Sequence, residues 1–328
     1  MMRELIFLSK LLLSSGLSLL ICIILTPILI PVLTKLKFGQ SIRDEGPSWH
    51  QKKSGTPTMG GISIILATLL GVSIPYILDG KFGVLQMALV LGSLLFGLIG
   101  FSDDYIKVVK KRNLGLTSKQ KFLAQLLVSI ATILFMSHTG ILGGEIFVPF
   151  IKTTVDIGFF AIPLAVLVQL AVVNSVNLTD GLDGLATSVT LIVSLFFMIC
   201  AIKLENMTVA SLMGATATAS LGFLFFNKNP AKVFMGDTGS LFLGGIIALG
   251  AISLKMPLIL IVAGGVYLFE TLSVIIQVIS FKTTGKRVFK MSPFHHHLEM
   301  CGLNENKIVA IFSVATIILC AVSYLITF

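Results

Sequence analysis

Apolar residues recur in ten long blocks, near residues 11–34, 59–78, 84–102, 121–137, 159–177, 185–202, 207–226, 239–254, 257–281 and 307–327, with short polar stretches between them. A bilayer's hydrocarbon core is about 30 Å thick and takes about 20 apolar residues in a helix to cross, because every backbone N–H and C=O must be satisfied within the segment. The pattern predicts an all-α, polytopic integral membrane bundle of ten transmembrane helices. No Ser/Pro-rich linker, low-complexity tract or detachable polar block interrupts it, so a single membrane domain is expected over residues 1–328. The first block is too long for the apolar region of a signal peptide, and no small-residue cleavage site follows it.

Ten spans leave both termini on one side, and the basic residues choose which. Of the 24 Lys and Arg, all but Arg3, Lys10, Lys81, Lys152, Lys203 and Lys255 lie in or beside the loops that follow the odd-numbered spans. Cytoplasmic loops carry excess Lys and Arg, so those loops are expected in the cytoplasm and both termini on the extracytoplasmic side. The acids took no part in that count, and they agree with it. Asp44, Glu45, Asp103, Asp104, Asp180, Asp183, Asp237, Glu299 and Glu305 fall on the same side, as do His50, His295, His296 and His297. The outer loops keep only Asp79, Glu145, Asp156 and Glu205. A transporter concentrates polar groups at mid-membrane; here they gather at one interface.

Composition closes off other classes. The 328 residues are 55% apolar and 12% charged, with a mean hydropathy of +0.99, against roughly 25% charged residues in soluble domains. The net charge of +9 follows from basic cytoplasmic loops, and no soluble domain presents a basic surface, so no nucleic-acid partner is expected. Cys22, Cys200, Cys301 and Cys320 show no paired spacing.

Four cytoplasmic segments carry candidate chemistry. The third block ends in Phe101-Ser102-Asp103-Asp104-Tyr105, which puts two acids at the negative end of a helix. Adjacent carboxylates repel, so the pair is expected to hold a proton or recruit a cation, unless Lys107, Lys110 or Lys111 simply pairs with it. Helix neighbours point about 100° apart, which gives the two acids separate surroundings. The fifth block runs into Asn177-Leu178-Thr179-Asp180-Gly181-Leu182-Asp183-Gly184, with no Lys or Arg in the loop to pair its acids; it reads as a ligand-binding turn or as a capped polar one. Val233-Phe234-Met235-Gly236-Asp237-Thr238-Gly239 opens the eighth block, where free N–H groups suit phosphate and Asp237 is either a cap or a magnesium ligand. Pro293-Phe294-His295-His296-His297-Leu298-Glu299 lacks zinc-ligand spacing and fits a phosphate-binding loop. Thr117 and Gln120 have capping-box spacing.

Together FSDDYIK, NLTDGLDGLA, VFMGDTGSL, PFHHHLE and the upstream KKSGTPTMGG resemble the phospho-N-acetylmuramoyl-pentapeptide-transferase family of the polyprenyl-phosphate N-acetylhexosamine-1-phosphate transferases, over nearly the whole chain. The resemblance implies transfer of phospho-MurNAc-pentapeptide from UDP-MurNAc-pentapeptide to undecaprenyl phosphate, giving lipid I and UMP at the bacterial cytoplasmic membrane. It also implies a Mg2+ cofactor and a homodimer. Carried over by motif, Asp103, Asp104, Asp237 and His296 are the implied catalytic positions, with Asp237 the metal ligand. Lys53, Thr58, Asn177, Asp180, Asp183, Asn227, Phe234, Gly236, Gln277 and His297 are the implied substrate-binding positions. A sister transferase acting on GlcNAc-1-phosphate shares the core chemistry and is the second reading.

Overall fold

The computed structural model describes residues 2–36, 53, 55–109 and 115–328; Asp44, Glu45, His50, Lys52, Ser54, Lys110 and Lys111 lie outside them. Its helices are α1 (Met2–Lys35), α2 (Gly61–Leu78), α3 (Val84–Val109), α4 (Ser118–His138), α5 (Ala161–Thr179), α6 (Leu185–Lys203), α7 (Met207–Asn227), α8 (Gly236–Ser253), α9 (Leu260–Ala263), α10 (Gly265–Thr284), α11 (Phe294–Met300) and α12 (Glu305–Thr327). Among the described residues ten helices are long and apolar enough to cross a bilayer, all but α9 and α11. The chain is a multi-pass, all-α membrane protein.

Four details depart from the sequence pattern. Helix α3 continues past the acids to Val109, with Lys107 bonded to Asp103 one turn back at 2.6 Å, a pairing that supports the last turns. The ninth span is broken at Gly264, between α9 and α10; a Cβ on Gly264 would crowd the Leu260 carbonyl, and glycines are weak helix formers. The predicted histidine loop contains α11, one short helix. The loop between α4 and α5 holds an antiparallel hairpin, β1 (Glu145–Val148) with β2 (Thr153–Asp156). It leans on the link between α8 and α9, where the Phe147 N–H donates to the Lys255 carbonyl at 2.7 Å and Lys255 Nζ reaches Glu145 at 2.5 Å.

Helix α8 is the axis of the bundle, buried continuously from Thr238 to Ile252, with α3 and α5 packed along it. Lipid tails are as apolar as leucine, so helices in a bilayer gain little by burying apolar surface against each other, and close contact through small residues holds them together. The glycines of α8 supply that contact. A Cβ on Gly244 would collide with the α5 backbone at Val173, and Gly239 lies against Gly61 of α2, backbone to backbone.

Alternating passes bring the C-terminal ends of α1, α3, α5 and α7 and the N-terminal ends of α2, α4, α6, α8 and α12 to one end of the bundle. Both chain termini lie at the other end. There Lys10 pairs with Asp79 at 2.6 Å, and its hydrogen bond holds the Asp79 carboxyl below the usual carboxylate range. Replacing Gly244 by Val is expected to destabilise the bundle by about 1–3 kcal/mol, the usual cost of overpacking, seen as a lower melting temperature of the purified protein. Gly16→Ala, where nothing among the described residues lies within 4 Å of a Cβ, should not lower the melting temperature.

Candidate active site

The site is organised around the first turn of α8, whose free amides have no side-chain cap of their own. Asp104 of α3 fills that role. Its Oδ2 accepts from the Thr238 N–H at 2.9 Å and from Thr238 Oγ1 at 2.7 Å, and its Oδ1 accepts from the Asp237 N–H at 3.2 Å. A carboxylate is favoured at a helix N-terminus by both the amides and the dipole. The approach depends on two glycines. A Cβ on Gly100 would strike the Asp237 carbonyl, and one on Gly236, at φ +75°, would crowd Asp104 Oδ2 and Thr58 Oγ1.

Asp237 is thereby turned toward a cluster of opposite charge. Its Oδ2 accepts from Lys107 at 2.7 Å and from Lys121 at 2.9 Å, and its Oδ1 accepts from Asn177 Nδ2 at 2.7 Å. Asn177 is itself oriented by Lys121 at 3.2 Å and Ser240 at 2.8 Å. Asp103 faces a different way from its neighbour, accepting from Lys107 at 2.6 Å and from the Leu116 N–H at 2.7 Å. Asp103, Asp104 and Asp237 offer oxygens that all lie within 4.8 Å of one another. Three carboxylates against two ammonium groups leave an excess of negative charge, which a divalent cation can balance.

The turn after α5 forms a second wall. Burial, joined by the carboxylates of Asp237, Asp104 and Asp183, pushes the Asp180 carboxyl well above its ordinary range. Asp183 finds its cation far away in sequence: Lys53 Nζ donates to Asp183 Oδ1 and to Glu305 Oε2, both at 2.7 Å. Asp183 Oδ2 accepts from Asn229 Nδ2 at 3.1 Å and from the Ala231 N–H at 3.0 Å. This ties α6, α12 and the approach to α8 into one rim.

The remaining predicted positions make these contacts within the chain. Asn227 is buried, accepting from Thr187 at 2.7 Å and donating to the Val233 carbonyl at 3.0 Å. Phe234 joins the α2 approach through its backbone, to Pro57 at 2.8 Å and from Gly60 at 2.9 Å. Gln277 spends its amide on the backbone of Val288 and Phe289. His296 Nδ1 lies 2.7 Å from Glu299 Oε2, and His297 Nδ1 accepts from the Lys290 N–H at 3.1 Å. The sequence reading passed over Lys121, Thr238 and Glu305 as site groups. Lys121 stood beside the Thr117–Gln120 capping box, which does form, and its place in the first turn of a helix entering the membrane was the available signal.

The model of glycosyl transferase family 4 matches residues 86–255, which include the aspartates and the α5–α8 segment. Phospho-N-acetylmuramoyl-pentapeptide-transferase signature 1 matches residues 53–65. Among curated relatives, the phospho-N-acetylmuramoyl-pentapeptide-transferase of Clostridium beijerinckii is 52% identical over 96% of each chain. That of Clostridium botulinum is 52% identical over 92% of each. The one from Bacillus cytotoxicus is 54% identical over 92% of this chain and 93% of its own. With both transferase models matched and more than half of the aligned residues identical to those of such relatives, the chain belongs to the phospho-N-acetylmuramoyl-pentapeptide-transferase family.

Proposed function

We propose that this chain transfers phospho-MurNAc-pentapeptide from UDP-MurNAc-pentapeptide to undecaprenyl phosphate, giving lipid I and UMP, in the bacterial cytoplasmic membrane with its site facing the cytoplasm. The observation that carries the reading is the convergence of Asp103, Asp104 and Asp237 with two lysines at one end of a membrane bundle. A greasy acceptor reaches such a site from the bilayer and a charged donor from water. A homodimer is part of the proposal on family grounds.

Magnesium fits the donor set, since carboxylate oxygens suit a hard cation. Asp237, whose side chain keeps 15% exposure, would hold it, with Asp103 and Asp104 alongside. When bound, the ion supplies neutralising charge to the donor's pyrophosphate.

The rest falls to the chain's own groups. A phosphate monoester loses its second proton near pH 6, so the lipid phosphate arrives largely dianionic, and Asp103 orients it or takes the residual proton. One lipid phosphate oxygen bonds to the sugar-side phosphorus while the bond from that phosphorus to the bridging oxygen breaks, and UMP leaves with the oxygen. The larger obstacle is bringing two anions together. Lys107, Lys121, Lys53 and the N-terminal end of α6 offset that repulsion, as in other phosphoryl transfers.

Asp237→Asn should lower turnover about 100-fold or more and raise the magnesium concentration needed for half-maximal UMP release; unchanged turnover and magnesium dependence would exclude the metal role. Asp103→Asn should lower turnover by a similar factor, about 100-fold, and full activity between about pH 6 and 8 would remove it from proton handling. Orientation has its own reporter, because Cys301 is exposed near the site while Cys22, Cys200 and Cys320 are buried. A membrane-impermeant thiol reagent should spare Cys301 in intact cells and modify it after permeabilisation.

A further inference from the structure

Glu270, on α10, and His295, at the start of α11, have no solvent exposure and meet inside the bundle. Glu270 Oε2 lies 3.0 Å from His295 Nδ1, and the His295 backbone N–H donates to Oε1 at 3.2 Å. One carboxylate thus caps an amide in the first turn of α11, whose preceding Pro293 offers no side-chain cap, and also grips the imidazole of the same residue.

The far edge of the ring decides which nitrogen carries the proton. His295 Nε2 is buried without a hydrogen-bond partner among the described residues and lies against Gly181, where a Cβ would collide with it. An N–H directed at a carbon there would forfeit a hydrogen bond that a buried donor needs. A bare lone pair at Nε2 avoids that loss, so the ring proton sits on Nδ1 and is donated to Glu270. The ring is therefore wedged between α10 and the turn that carries Asp180 and Asp183. The His296 ring follows, its centroid 4.2 Å from that of His295.

We propose that Glu270 and His295 are a buried positioning pair that sets the 180–184 turn against the triple-histidine helix and so keeps the donor-binding side of the site assembled. Neither side chain bonds to the aspartate cluster; the pair acts through Asp180, Asp183, His296 and His297. The proposal rests on the transferase reading above, and it adds two residues and their mode of action.

Steady-state UMP release, measured with donor and lipid acceptor varied separately, tests it on His295→Asn, His295→Gln, Glu270→Gln and Gly181→Ala. Asparagine places an amide nitrogen at the Nδ1 position, where it can still donate to Glu270; glutamine places it at Nε2. His295→Asn should keep the donor KM within about 3-fold of the parent protein, whereas His295→Gln and Glu270→Gln should raise it about 10-fold or more, with the acceptor KM moving less than about 3-fold. Gly181→Ala approaches the contact from the other side and should reproduce the rise in donor KM if the Glu270 variant fails to fold. An unchanged donor KM in His295→Gln and Glu270→Gln would overturn the proposal. So would donor and acceptor KM rising together with a fall in melting temperature, or His295→Asn performing no better than His295→Gln. UMP release by the parent protein is read first, and its absence overturns the transferase reading and this proposal with it, whereas an active parent with indifferent variants overturns the pairing alone.

Discussion

The bond between the Asp104 carboxylate and the first turn of α8 is the interaction on which the site depends. Helix α8 begins at a membrane boundary with amides that its own N-cap residue cannot satisfy, and an unsatisfied buried amide is costly. Asp104 satisfies two of them from another helix. This joins the two helices that carry the aspartates. With Asp104 holding that joint, Asp103 and Asp237 make the short contacts to the lysines.

Charge balance explains why this many lysines sit in a protein with so few charges. Burying a carboxylate in a medium of low polarity costs several kcal/mol unless it is paired and hydrogen-bonded. Three acids of the site are paired in this way: Asp237 with Lys107, Lys121 and Asn177, Asp103 with Lys107 and an amide, Asp183 with Lys53. The same groups are suited to receive phosphate, since an ammonium that stabilises a carboxylate stabilises a phosphate oxygen equally well. Binding energy and folding energy draw on one set of contacts.

Glycine performs the mechanical part. At Gly100, Gly239 and Gly244 the absence of a side chain lets α3, α2 and α5 reach α8 closely, and at Gly181 it lets an imidazole lie on a loop backbone. In a bilayer, where apolar surface gives helices no preference for one another over lipid, such contacts decide which helices are neighbours. The close approach at Gly100 is what places Asp104 within reach of Thr238.

Much was legible along the chain. Apolar block length is a local property, and it determined ten spans and which ends share a side; the Thr117–Gln120 cap is local too, and it formed as expected. Asp103, Asp104 and Asp237 were also visible, because acids at apolar boundaries stand out by type. Partnerships between distant residues were not. Lys121 meeting Asp237, Lys53 shared by Asp183 and Glu305, and His295 enclosed by Glu270 and Gly181 all depend on helix adjacency. Hydropathy is blind to adjacency, because lipid-facing and helix-facing positions are equally apolar. The break at Gly264, the short α11 and the hairpin between α4 and α5 were likewise decided by packing against neighbours that no single segment encodes. The sequence by itself determined a membrane bundle with its polar chemistry at one end; only the tertiary structure decided which charges meet there.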